Sequence, residues 1–154
     1  MAITSGATGP GLIDLIDGTI VWKASGGSTM YGVLITSASN IDENDNVRTD
    51  YTGEESGAVT ATLTLADPTH DSTNNHVEAD ATNAPLTFSS VTGSQTVSGF
   101  VVAKQVGGSP ATSDPILCFN GFSTGNLSTT GVDVEVTLHA DGVFKITYTE
   151  PSAA

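Results

Sequence analysis

The chain's pattern predicts an all-β fold, an antiparallel β-sandwich of about eight strands with a flexible N-terminal arm, and three observations carry it. Two segments alternate apolar and polar residues with period two. Val59, Ala61, Leu63 and Leu65 alternate with Thr60, Thr62 and Thr64, and Val132, Val134, Val136 and Leu138 alternate with Asp133, Glu135, Thr137 and His139. That period marks a strand with one buried face. No segment offers about twelve residues of helical periodicity. Charged residues are only 14% of the chain, while Thr, Ser, Gly and Asn are abundant, so the surface is rich in hydroxyls and amides, as suits strands and turns.

The length of 154 residues suits one domain. Residues 1–16 are assigned to the arm and residues 17–154 to a single sandwich. Residues 1–11 are small, flexible in type and mostly uncharged. In residues 12–16, Leu12, Ile13, Leu15 and Ile16 make an apolar patch that forms either one helical turn or an extended segment. It either covers the edge of its own domain or docks on a neighbouring subunit. Residues 19–23 and 30–36 read as a hairpin around Gly26 and Gly27. Residues 59–65 follow as a strand, Leu86 and Phe88 mark a short one after Pro85, residues 99–104 form a more buried strand, and residues 116–120 another. Residues 67–84 are too long for a simple turn and either protrude or carry a small strand near Val77.

The C-terminal segment reads as a second hairpin. A three-residue loop of Ala140, Asp141 and Gly142 pairs Leu138 with Phe144, Val136 with Ile146 and Val134 with Tyr148, and Gly142 supplies the left-handed position. Ordering this hairpin costs more than its apolar side chains return, so a second sheet must cover it. No internal repeat is present.

Seventeen acidic residues against four basic ones (Lys23, Arg48, Lys104, Lys145) give a formal charge of −13. Phosphate backbones and anionic membrane surfaces are repelled, so neither nucleic acid nor membrane is expected as a partner. Cys118 is the only cysteine and reads as a small core residue. The N-terminus lacks a basic start before an apolar core, and no run approaches transmembrane length, which argues against secretion. The sequon at Asn126 matters only on a secretory route.

The chemical motifs are weak. Residues 121–125 match G-x-S-x-G, but a nucleophile elbow needs a helix after Ser123, and residues 126–131 do not make one. Asp42, Asn44 and Asn46 begin like a calcium loop, yet Val47 stands where glycine belongs and Gly53 where the closing glutamate belongs. An irregular calcium loop using Asp42, Asp45 and Asp50 is weighed against a solvated turn, which is preferred. His70 and His76, with Asp67, Asp71, Glu78 and Asp80 nearby, could supply zinc ligands, but the spacing is loose for zinc and a polar loop is the simpler reading. His139 receives no role. Of the aromatic residues that could stack on sugars, Tyr148 is claimed by the hairpin and Trp22 by a strand, which leaves Tyr31 and Tyr51. The chain therefore reads as a protein without catalytic site, metal or cofactor.

Residues 31–37 (YGVLITS), then Tyr51-Thr52-Gly53, Thr87-Phe88, residues 99–102 (GFVV), Pro115-Ile116-Leu117 and residues 144–148 (FKITY) occur in an order that resembles small all-β structural proteins of tailed bacteriophages, over roughly residues 30–148. The resemblance implies a virion component: a decoration (cement) protein on the outer capsid, or a head-fibre or tail-associated piece. It implies a β-sandwich oligomer, commonly a trimer, bound to the major capsid protein and assembled in the host cytoplasm. The termini of such proteins reach across capsomer boundaries, a use that fits residues 1–11 and a contact through Leu12, Ile13, Leu15 and Ile16. The alternative is a carbohydrate- or receptor-binding module of a fibre or tail.

Overall fold

The computed structural model describes residues 6–140 and 142–147. In chain order its elements are β1 (Gly6–Ala7), α1 (Gly9–Ile16), β2 (Met30–Thr36), β3 (Thr60–Leu63), β4 (Thr69–Asp71), β5 (His76–Ala79), β6 (Leu86–Phe88), β7 (Thr96–Lys104), β8 (Ile116–Gly121), β9 (Leu127–Ser128), β10 (Val134–Val136) and β11 (Phe144–Thr147). The fold is an antiparallel β-sandwich. One layer is a six-stranded sheet in the order β1-β8-β7-β2-β3, with β9 also paired to β7, and the other consists of β10-β6 and β11-β5-β4. Among the described residues seven of the expected eight strands form and residues 19–23 do not, while β1, β4, β5 and β9 are additional, each only two to four residues long and with little readable alternation.

The large sheet is buried on both faces, which is why β2 and β7 read as nearly unbroken apolar runs. Met30 and Leu34 of β2, with Phe100 and Val102 of β7, face the sandwich core and meet Trp22, Leu86, Phe88 and Val134. Tyr31, Val33 and Ile35, with Val101 and Ala103, face the other way into a second cluster with Tyr51 and Ile116. Gly32 is part of the first packing. A Cβ there would stand 3.0 Å from Phe88 and 3.2 Å from Phe100, whose rings pack with centroids 5.9 Å apart.

Loops, not strands, roof the second cluster, and a buried polar network pins them. Arg48 is 4% exposed and forks onto Glu54, with Nε to Oε1 at 2.8 Å and Nη2 to Oε2 at 3.0 Å. Its Nη1 donates to the Tyr31 hydroxyl and to the Ala111 carbonyl, and Tyr31 donates in turn to Asp114 Oδ2 at 2.7 Å. Asp114 also accepts the backbone N–H groups of Val106 and Ala111. Both loops that cross the sheet's outer face are thereby fixed to β2.

Two sequence expectations are corrected. Val134–Val136 and Phe144–Thr147 are strands, but not of one hairpin. Val134 pairs with Phe88 and Val136 with Leu86, while Phe144 pairs with Ala79 and Ile146 with Val77. Pairing with β6 and β5 sets both strands over the sandwich core, an apolar surface that a two-stranded hairpin could not supply for itself. Gly142 does take positive φ (87°), though its nearest constraint is β5, since a Cβ there would stand 2.8 Å from the Ala79 carbonyl oxygen. Asp141 and Tyr148, also assigned to that hairpin, lie outside the described residues. Residues 19–23 are likewise no strand, because β3 and β7 occupy both edges of β2. Ile20 and Trp22 are still buried, and Ser28 closes the loop by donating its N–H to Val21 and accepting Val21 N–H on Oγ.

Residues 67–84 contain two strands, β4 and β5, and residues 6–16 of the expected arm lie on the body instead of free of it. Gly6 and Ala7 pair with Phe119 and Cys118, and α1 packs on β8. Main-chain hydrogen bonds left open at the β8 edge account for this docking: Thr8 donates its N–H to the Leu117 carbonyl at 2.9 Å. Residues 1–5 lie outside the described part.

Candidate functional site

The apolar patch of residues 12–16 is a helix with identifiable ends. Thr8 caps it, its Oγ1 accepting the Gly11 N–H at 3.1 Å, and Pro10 sits in the first turn, where its missing N–H costs nothing. Gly11 permits close approach to the sheet, since a Cβ there would stand 2.6 Å from the Leu117 carbonyl oxygen. The helix so placed divides the four predicted contact residues. Leu12 and Leu15 are half-buried, whereas Ile13 is 63% and Ile16 85% exposed.

Leu15 also lines an apolar depression of about 350 Å³ with Ile20, Val21, Trp22, Pro68, Val77, Phe144 and Ile146. Val21, Val77 and Ile146 are among the large apolar residues the protein leaves exposed. Val77 and Ile146 are cross-strand partners on the face of β5 and β11 whose other pair, Ala79 and Phe144, packs into the core. The core face of these strands thus runs out past the body and remains uncovered. Trp22 is the floor, edge-on to Phe144 at 5.4 Å, with its indole N–H donated to the Asp80 carbonyl at 3.0 Å.

A larger groove of about 780 Å³ opens between the end of the large sheet and the segments around β10 and β11, bounded by Phe100, Cys118, Phe119, Val136, Leu138 and Phe144. Cys118 is buried there, and burial pushes its thiol up to about 12, partly offset by a hydrogen bond from Asn120. It is held protonated, as its core role requires.

The weighed motifs resolve one by one. Ser123 is exposed in a turn that leads into β9, so no helix follows it and no elbow forms. Asp42, Asp45 and Asp50 each accept backbone N–H groups of their own loop: Asp42 from Asn44, Asp45 from Asp42, and Asp50 from Asn46 and Val47. They close turns. Asp67 and Asp80 accept the N–H groups of Ala24 and Ala81. His70, in register with Val77, sits on the opposite side of β4 from Asp71.

Three residues of the weighed zinc set do converge. Asp71, His76 and Glu78 bring one ligand atom each to within 4.8 Å of the others. The Glu78 hydrogen bond holds His76 above its ordinary pKa against the effect of burial, and the Asn74 side chain holds Asp71 below its own. The spacing rule that favoured a polar loop looks along the chain, whereas these residues meet across a strand pair. Among the described residues, no helix is long and apolar enough to cross a membrane. No protein-family model, curated protein or solved structure matches this chain.

Proposed function

We propose that the protein is a virion structural component, a capsid decoration protein that binds the major capsid protein on the outer shell and bridges neighbouring subunits, most simply as a trimer. One observation carries the reading: the uncovered apolar surface formed by Leu15, Val21, Val77 and Ile146 around the depression, with Ile13 and Ile16 exposed on the adjoining helix. A monomer gains nothing from leaving such residues in water, whereas a surface covered on assembly returns their burial energy. A protein that binds only the assembled shell stabilises it by linkage. The rival carbohydrate-binding reading needs exposed rings, and Trp22, Tyr31 and Tyr51 are all buried.

The test is co-sedimentation with capsids assembled from the major capsid protein of the same genome, using the full chain and its Ile16→Asp and Val77→Asp variants. Both variants are expected to fold, by circular dichroism, and to lose binding by tenfold or more, since each sets a charge in a surface that should become buried. Folded variants that coat particles as the parent does would overturn the assignment of this surface. A parent chain that ignores capsids but binds glycans on an array would overturn the function.

A further inference from the structure

We propose that Asp71, His76 and Glu78 form a site for a single zinc-class divalent cation on the β4–β5 hairpin. Register assembles it. Asp71 lies directly across from His76, and Glu78 follows two residues on, so all three side chains leave the same face of the strand pair.

The spacing matches a small tetrahedral ion. His76 Nε2 stands 2.8 Å from Glu78 Oε1 and 3.9 Å from Asp71 Oδ2. Ligand atoms bound about 2.0–2.2 Å from zinc are about 3.3–3.6 Å apart, a separation these two distances bracket. All three ligand atoms lie within 4.8 Å of one another, so shifts of about an ångström would bring them to that separation.

Carboxylates alone would favour no particular cation on so acidic a chain. The imidazole changes the class, because a nitrogen donor selects zinc-like ions over calcium and magnesium. Nor is it a loose surface ring. His76 is 4% exposed, with Nε2 directed between the two carboxylates. Surrounding groups orient the ligands as they do in metal sites. Thr69 Oγ1 donates to Glu78 Oε2 at 3.2 Å, and Asp71 accepts the N–H groups of Thr73 and Asn74 together with the Asn74 side-chain amide. In the same turn Asn75 Oδ1 is buried and accepts no hydrogen bond from any described residue.

A positive charge lies on the neighbouring strand: Lys145 of β11 is in register with Glu78. Binding needs the Nε2 lone pair, so the proton on Nε2 passes to solvent from the imidazolium or to Nδ1 from the neutral ring, and affinity must fall in acid, where the imidazolium competes.

The experiment is titration of the full chain with zinc chloride, followed by calorimetry and thermal melting at about pH 7.5 and about pH 5.5. Expected are one ion per chain, a saturable rise in Tm reversed by chelator, and weaker binding at the lower pH. His76→Gln and Glu78→Gln should each lose more than about a hundredfold in affinity, beyond the roughly 10–100-fold range seen when supporting groups around a metal are changed. Asp67→Asn, outside the cluster, should bind as the parent does. Absence of saturable binding, parental affinity in His76→Gln, or equal competition by calcium would overturn the proposal. If His76→Gln does not fold, the ring nitrogens of His76 in the parent decide by NMR: zinc must move their resonances, and unmoved resonances overturn the site.

Discussion

Arg48 is one of four basic side chains in the chain, yet it is spent inside the protein. Burial works against its charge, and the Glu54 fork with the Tyr31 hydroxyl more than restores it, so its pKa lies above the usual value. Arg48→Met should cost about 3 kcal/mol in urea denaturation, the low end of the range for breaking a buried pair, because Glu54 keeps some access to water. Asp114 belongs to the same network. Burial raises its pKa, but the Ala111 and Val106 N–H groups and the Tyr31 hydroxyl prevail and hold it below the usual value. A depressed folded-state pKa contributes stability above the unfolded value of about 3.9, and that contribution is lost as pH falls through the folded value. Unfolding free energy should therefore drop below about pH 4, with a shallower slope in Asp114→Asn, as measured by urea midpoints across that range. None of this network was legible in the sequence. Arg48 reads there only as a charge, because its partners Tyr31 and Ala111 are 17 and 63 positions away.

At the scale of elements, the alternation in residues 59–65 and 132–148 marked many of the buried side chains, though Val132 and Ile146 are exposed, and it did not tell which strands are neighbours. Leu63 and Val134 are buried and Thr62 and Glu135 exposed, as period two requires. Pairing is a separate question, because any apolar face of the right length satisfies a half-buried strand. The decisive test is cross-linking. Thr87→Cys with Glu135→Cys, direct partners in the β6–β10 ladder, should form a disulfide under mild oxidation. Glu135→Cys with Thr147→Cys, neighbours in the C-terminal hairpin but on different sheet fragments here, should not. The reverse result would restore the hairpin. Helix α1 was half legible: the apolar spacing of residues 12–16 allowed a helical turn, but the docking of residues 6–8 on β8 has no local signal.

For the whole molecule, the charge of −13 and the two-faced sheet have opposite effects. Repulsion among surface carboxylates weakens the compact state and is screened by salt, so Tm should rise between about 0.02 and about 0.3 M sodium chloride. The rise should persist in Arg48→Met, whose lost ion pair is shielded from salt by burial. A flat or falling Tm would mean that the carboxylates lie too far apart to matter. Composition and period-two alternation by themselves determined the class of fold, the strand-rich core, the acidity that repels phosphate, and the burial of Cys118. Those properties depend on neighbours one or two residues apart. The tertiary structure alone decided the partners of β10 and β11, the burial of Tyr31, Tyr51 and Arg48, the uncovered face at Val77 and Ile146, and the meeting of Asp71 with His76 and Glu78. Each of these depends on contacts closed across a loop or between sheets, whose loop-closure cost and packing gain no local pattern encodes.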